Sequence, residues 1–183
     1  MILVVLGGAV LAAAGALAVV HSRSSRRLLD EYAARVDAFT VITVSWLARE
    51  CVREFDARLG VRLDLGDLDG TAWKLDEVLR SQRAAFLLAT EDRPLRTAEL
   101  ASAAMGELVR RHGGGEWMTG GRSPGVRVRL PEGDREILPF VDALNQFRSG
   151  GPGDLHALIL YAAGRAGARL RRGHWAEKRA PIE

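Results

Sequence analysis

The chain has 183 residues, of which 48% are hydrophobic, 6% aromatic and 27% charged, with a formal net charge of +3. This hydrophobic content excludes a wholly disordered chain, and the length is sufficient for one domain with its own core. Residues 154–183 carry six basic and three acidic residues, so their net charge of +3 equals that of the whole chain. The composition therefore indicates a basic tail and not a basic domain. Cys51 is the only cysteine, which excludes an intramolecular disulfide.

Residues 1–21 are predicted to form a transmembrane anchor. Ile2 to Val20 are all uncharged and apolar, and as a helix they would span about 28 Å, the thickness of a hydrocarbon core. No Lys or Arg precedes this segment, and Arg23, Arg26 and Arg27 follow it directly. The positive-inside rule then predicts a single-pass protein of the cell membrane whose C-terminal part is cytoplasmic.

A cleaved signal peptide is the alternative interpretation of the same segment, because Ala16-Leu17-Ala18 resembles a small-residue cleavage site. The charge asymmetry favours the anchor. Within the anchor, Gly8, Ala12 and Ala16 recur every four residues. Such a stripe of small residues allows two membrane helices to approach closely, so we expect association with a protein partner or a second copy of the chain there.

Residues 22–60 are predicted to be a long juxtamembrane helix, because apolar residues recur at helical spacing from position 25 to 59 and Gly60 provides a stop. The β-branched residues Thr40 to Val44 would equally suit a strand, so helix and strand both remain open for residues 39–47. Segment 38–48 contains no charge. We expect it to be buried all round, in the core or beneath a protein partner.

Residues 61–153 are predicted to form an α+β domain. A turn over 60–70 leads into an amphipathic helix at 72–90, with Thr71 or Asp69 as its cap. A second helix is predicted at about 97–112, with His112 capping its end. The glycine-rich residues 113–125 that follow are expected to be a flexible connector tethered by Trp117.

The clearest local signal is a β-hairpin at 126–138, where "VRVRL" alternates, "PEGD" provides a four-residue turn and "REIL" returns. This turn would set Val128 opposite Ile137 and Arg129 opposite Glu136. A short helix is then predicted at 139–148, beginning at Pro139. The predicted fold class is therefore α+β, mainly α, with a transmembrane helix before a small helical domain and one hairpin.

Residues 154–183 are predicted to be a basic C-terminal helix and tail, with Asp154 as the cap and helical structure to about Arg172. Arg165, Arg169 and Arg172 would align on one face of that helix, close to Trp175. A basic helix with an aromatic residue is typical of contact with anionic headgroups, as we also expect for Arg23, Arg26 and Arg27. The same pattern would suit a nucleic-acid backbone.

No constellation of residues in the sequence indicates catalysis, a cofactor or a metal. Cys51 occupies an inward helical position, and one cysteine with four scattered histidines has no metal-ligand spacing. His156 is expected to be a hydrogen-bonded structural histidine. The adjacent carboxylates Asp76 and Glu77 are expected to be solvated.

The sequence therefore predicts a non-enzymatic, membrane-anchored interaction or scaffold protein on the cytoplasmic side, an accessory subunit of a membrane complex. Its candidate contact surfaces are the small-residue stripe of the anchor and segment 38–48. The alternative is a membrane-tethered nucleic-acid-binding module, because the two helices at 72–90 and 97–112 and the hairpin follow one another in the order of a winged helix. Without a basic excess in that region, nucleic acid is the weaker prediction.

Overall fold

The described part of the chain folds into helices and one small antiparallel sheet. The computed structural model describes residues 27, 30–84, 93–119 and 123–165. Its elements are α1 (residues 30–37), α2 (Val41–Leu59), α3 (Leu68–Ser81), α4 (Arg93–Gly113), β1 (Glu116–Met118), β2 (Gly125–Leu130), β3 (Gly133–Ile137), α5 (Pro139–Ser149) and α6 (Asp154–Ala162). The predicted class, α+β and mainly α, is confirmed for these residues, whereas the predicted anchor lies outside them.

Helix α4 forms the centre of the fold. Residues 98–109 are all buried, and α2, α3, α5, α6 and strands β1 and β2 pack around them. Ala, Ser and Gly make up half of this stretch, so neighbouring elements can approach closely from every side. A side-chain carbon built on Gly106 would lie 2.0 Å from Cη2 of Trp117, which shows how tightly the indole ring covers this helix. The predicted tether through Trp117 is confirmed.

The long helix predicted from 25 to 59 is interrupted. Thr40 has extended backbone angles (φ −98°, ψ 169°), and its hydroxyl accepts the N–H of Thr43 at 3.2 Å, so it is the N-cap of α2. This local hydrogen bond competes with a continuous helix, as threonine side chains commonly do. Residues 41–47 are helical, which settles the open choice between helix and strand, and α2 ends at Gly60 as predicted, with φ 65°.

The start of α3 differs from the prediction. Its N-cap is Asp67, whose carboxylate accepts the N–H of Gly70 at 3.0 Å, and not Asp69 or Thr71. The Thr71 hydroxyl is engaged elsewhere, because it donates to the carbonyl of Asp64 at 2.7 Å. Helix α3 therefore begins four residues before the predicted helix at 72–90.

His112 lies in the last turn of α4, as predicted, and its ring also contacts another part of the chain. Its ring Nε2 lies 3.1 Å from the carbonyl oxygen of Leu65, in the segment between α2 and α3. The histidine therefore joins two parts of the chain that are 47 positions apart.

Three antiparallel strands form the sheet, in the order β1-β2-β3. Strand β1 differs from the prediction, because its three residues lie within the glycine-rich stretch that is expected to be a connector. The hairpin at 126–138 is confirmed, but its turn contains only two residues, Pro131 and Glu132, and Val128 pairs with Arg135 instead of Ile137. A shift of two residues leaves every side chain on its predicted face.

That register places Arg135 on the inner face of the sheet, beside Val128. Its guanidinium lies over the ring of Tyr161, 4.0 Å from the centroid, and donates to the Tyr161 carbonyl. It also pairs with Glu132 at 2.9 Å. An arginine is tolerated on an apolar face here because α6 supplies an aromatic ring and a carbonyl for it.

Helix α5 begins at Pro139 as predicted. Helix α6 ends at Ala162, well before the predicted end near Arg172, because Gly164 adopts the left-handed conformation (φ 75°) and Arg165 donates its N–H back to the Leu160 carbonyl. Glycine has no side chain to oppose that conformation. Asp154 is not the cap either: the N-cap of α6 is Gly153, which has no side chain to offer.

Candidate interaction surface

Helix α2 has a buried face and an opposite, outward face. Its buried residues are Val44, Leu47, Ala48, Cys51 and Phe55. Directly opposite lie Ile42, Trp46, Arg49 and Arg53, which at about 100° per residue fall within about 60° of one another. We call these four residues the α2 outer stripe. Its first half is apolar and its second half is basic.

The apolar half of the α2 outer stripe is exposed. Ile42 is 81% exposed and Trp46 is 47% exposed, and Val41, which borders them, is 43% exposed. The prediction that segment 38–48 is buried all round in the core is therefore wrong for the described domain, while its burial beneath a protein partner stays a prediction. An eleven-residue stretch without charge still covers both faces of a helix, and only one of those faces meets the core.

Arg96 of α4 makes a cation–π contact with the indole ring of Trp46. The guanidinium carbon of Arg96 lies 5.7 Å from the centroid of the indole ring, a distance at which a cation and an aromatic face attract one another. Arg96 also pairs with Glu54 at 3.5 Å and with Glu99 at 3.6 Å, and Glu99 pairs with Arg35 of α1 at 2.9 Å. These ion pairs join α1, α2 and α4 next to the exposed ring.

The basic half of the α2 outer stripe consists of two exposed arginines. Arg53 pairs with Glu50 one turn earlier on the same helix. Arg49 is exposed and makes no ion pair or hydrogen bond within the part of the chain that the structure describes. An unpaired guanidinium beside a half-exposed indole can bind an anionic group without first breaking an internal contact.

Two of the residues predicted to contact a membrane surface are described. Arg27 is exposed and pairs with Glu31 at 2.7 Å. Arg165 is exposed but follows the end of α6, so the predicted continuous helix from residue 154 through Arg165 is wrong. The remaining predicted residues lie outside the described ranges: Gly8, Ala12, Ala16, Arg23, Arg26, Arg169, Arg172 and Trp175.

The single thiol is buried, as its inward position predicted. Cys51 is fully buried, and this burial raises the pKa of its thiol well above the usual range, with the nearby Glu54 carboxylate acting in the same direction. A thiol that stays protonated in an apolar environment is a poor nucleophile.

The described histidines make structural contacts. His156 is hydrogen-bonded, as predicted: its Nε2 lies 2.9 Å from the Asp69 carboxylate, and its ring meets Trp73 edge to face at 5.5 Å. Within residues 27, 30–84, 93–119 and 123–165, no three His, Cys, Asp or Glu side chains come together in a geometry suited to a metal ion.

The carboxylate of Asp76 is buried, contrary to the prediction that it is solvated. The residue is only 1% exposed. It pairs with Arg80 at 3.0 Å and accepts hydrogen bonds from the Gln146 amide and from the backbone of Gly153 and Leu155. The signal that could have revealed it is the start of α6, where glycine stands at the cap and the free N–H groups require an acceptor from another element.

The geometry of α4 does not favour the winged-helix alternative. In that motif the helix before the hairpin lies in the major groove and must present an exposed face to the bases. The corresponding helix here is α4, whose residues 98–109 are buried without interruption. Within residues 98–109, α4 therefore has no exposed face.

No family model, no curated protein and no solved structure matches this chain. None of the helices in the described ranges has both the length and the apolar character needed to span a bilayer.

Proposed function

We propose that this chain is a membrane-anchored interaction protein: a single helix at residues 1–21 lies in the cell membrane, and the domain lies on the cytoplasmic side as a non-catalytic accessory or scaffolding subunit of a membrane complex. The observation that carries the proposal is the run of nineteen uncharged residues from Ile2 to Val20, followed directly by three arginines. Such a run stays in lipid, and the arginines remain with the anionic inner headgroups.

The beginning of the domain supports a close connection between anchor and domain. Tyr32 in α1 is buried and donates its hydroxyl hydrogen to the carbonyl of Phe140 at 3.2 Å. Burial raises the pKa of this phenol above its usual range, so it remains a donor. Only residues 21–31 separate the apolar run from this contact, a distance of about 16 Å as a helix and about 40 Å fully extended. The domain is thus held next to the bilayer.

The partner contact of the proposed subunit is the stripe of Gly8, Ala12 and Ala16 in the anchor. Small residues let helix backbones approach closely, and a large side chain on that stripe separates them. Ala14 lies on the opposite face of the same helix, about 200° from Ala12 at 100° per residue, and offers a matched control.

The experiment uses the full chain in native membranes. Flotation with vesicles after alkaline extraction tests the anchor, and protease access in intact cells tests the orientation. Crosslinking in the membrane then compares Gly8→Leu and Ala12→Leu with Ala14→Leu. We expect membrane retention in all variants and loss of the crosslinked species only in the first two. An intact mature chain that starts near residue 20, or one that remains in the aqueous phase, contradicts the proposal.

A further inference from the structure

We infer that the α2 outer stripe lies on the headgroup layer of the bilayer that holds the anchor, so that Ile42 and Trp46 enter the interface and Arg49 meets lipid phosphates. This inference rests on the proposed function and names the surface that covers α2. It differs from the sequence-based expectation, in which segment 38–48 met a protein partner.

The chemistry of the stripe matches a bilayer interface. Tryptophan is enriched at headgroup depth because its ring is largely apolar and its N–H still reaches a polar group. Ile42 is the most exposed of the large apolar side chains in the described domain, at 81%. Apolar residues along one edge of a surface helix, with arginine next to them, are typical of helices that lie in the interface plane.

The exposed apolar area is too small for a stable protein interface of its own. Taking about 150–250 Å² for a large side chain, Val41, Ile42 and Trp46 together leave on the order of 300 Å² exposed. A stable dimer buries about 800 Å² on each partner, of which about 57% is apolar, so its apolar part alone is about 450 Å² and exceeds the apolar area exposed here. A bilayer needs no such area, because the anchor already keeps the domain at the membrane and each weak contact acts at high effective concentration.

The tether brings the stripe within reach of lipid. Tyr32 docks the chain into the domain, and the segment from residue 21 to 31 spans about 40 Å at most. A domain of this size is about 35–40 Å across. The stripe lies close to α1, because Glu99 pairs with Arg35 of α1 and with Arg96, and Arg96 contacts the Trp46 ring.

The positive charge of Arg49 also favours lipid headgroups as the surface that covers the α2 outer stripe. Arg49 is exposed and unpaired among the described residues, and the guanidinium fork fits phosphate oxygens. A basic residue near an anionic surface contributes about 1 kcal/mol to binding. Arg96 already contacts the Trp46 ring within the domain, and a side chain that is held by an existing contact loses less conformational entropy on binding.

The test places a nitroxide on the stripe in the full chain, reconstituted into vesicles that contain phosphatidylglycerol. Ile42→Cys carries the label, and Glu77→Cys, an exposed position on α3, is the control. Cys51 is fully buried, so the native thiol can remain in place. The measurement is collision of each label with a water-soluble nickel complex and with oxygen, which dissolves preferentially in lipid.

We expect the label at 42 to collide at least about threefold less with nickel than the label at 77, and more with oxygen, at every protein-to-lipid ratio. Equal accessibility at both positions, in chains that float with the vesicles, overturns the inference and leaves the proposed function intact. Protection at 42 that disappears on dilution with lipid assigns the stripe to a second copy of the chain and also overturns it. Chains that fail to float overturn the proposed function itself.

Arg49→Glu provides a second measurement on the label at 42, with Arg62→Glu as the control at an exposed arginine outside the stripe. We expect the nickel protection to fall at least about twofold in Arg49→Glu and to stay unchanged in Arg62→Glu. Equal effects of the two substitutions contradict a specific contact between Arg49 and lipid phosphate.

Discussion

The carboxylate of Asp76, in the middle of α3, accepts the backbone N–H of Leu155 at 2.9 Å, although the two residues lie 79 positions apart. It also accepts the N–H of Gly153 at 3.0 Å. Asp76 therefore caps α6 from another helix, where α6 itself has only a glycine at the cap. A negative charge at a helix N-terminus is favoured by the helix dipole, and the burial strengthens this contact.

Replacing Asp76 with alanine should destabilise the domain strongly. The substitution leaves buried N–H groups without an acceptor and removes the partner of Arg80, and we expect a loss of about 2–4 kcal/mol in the free energy of unfolding. Glu77→Ala, at the exposed neighbouring position, should change it by less than about 0.5 kcal/mol. The measurement is urea unfolding of the detergent-solubilised chain, and equal effects of the two substitutions contradict the cap.

Gly106→Ala should destabilise the protein, which is the opposite of the usual effect in a helix. Alanine normally stabilises a helix interior by about 1 kcal/mol relative to glycine. Here the new methyl group would lie 2.0 Å from Cη2 of Trp117, and such overpacking typically costs about 1–3 kcal/mol. Thermal unfolding checks the sign.

A second substitution separates the ring contact from other effects at Gly106. In a Trp117→Leu background the distal ring atoms are absent, so Gly106→Ala should no longer be harmful. A penalty that is the same in both backgrounds would show that Trp117 is not its source.

Glu107 should make stability depend on pH in a defined acidic range. Hydrogen bonds from Arg110 and then Arg111 lower the pKa of this carboxyl from 4.5 to about 2, against the opposing effect of burial. A lowered pKa in the folded state means that the stabilisation is fully present above pH 4.5 and is lost as the pH falls through about 2.

The variant Glu107→Gln tests that range. We expect it to be less stable than the unsubstituted chain by about 2 kcal/mol at pH 6, a value reduced from the full shift because both arginines are partly exposed to solvent. The difference should shrink towards zero between pH 4.5 and pH 2 in urea titrations. A difference that does not change with pH would contradict the pKa assignment.

Cys51 should be an internal reporter of unfolding. Since it is fully buried and its thiol pKa is raised, labelling by a thiol reagent requires an opening of the domain. We expect native labelling to be at least about 1000-fold slower than that of the thiol added in Glu77→Cys, and to become equally fast in urea. Rapid labelling of the native chain at pH 8 would show that α2 is not packed as described.

The sequence alone was sufficient for those features that depend on local periodicity and local caps. The alternation before and after Pro131-Glu132 specified a hairpin and the face of each side chain, because strand periodicity is two whatever the register. The inward position of Cys51 and the end of α2 at Gly60 followed in the same way from helical spacing and from the conformational freedom of glycine.

Features that depend on contacts distant in sequence were decided only by the tertiary structure. Whether Asp76 is solvated or buried depends on the free N–H groups of α6, and the position of Arg135 depends on the ring of Tyr161. Likewise, the sequence of segment 38–48 shows that it lacks charge, but not that Ile42 and Trp46 are exposed while Val44 and Leu47 are buried. Helical periodicity places residues on faces, and only the packing of the other helices determines which face is covered.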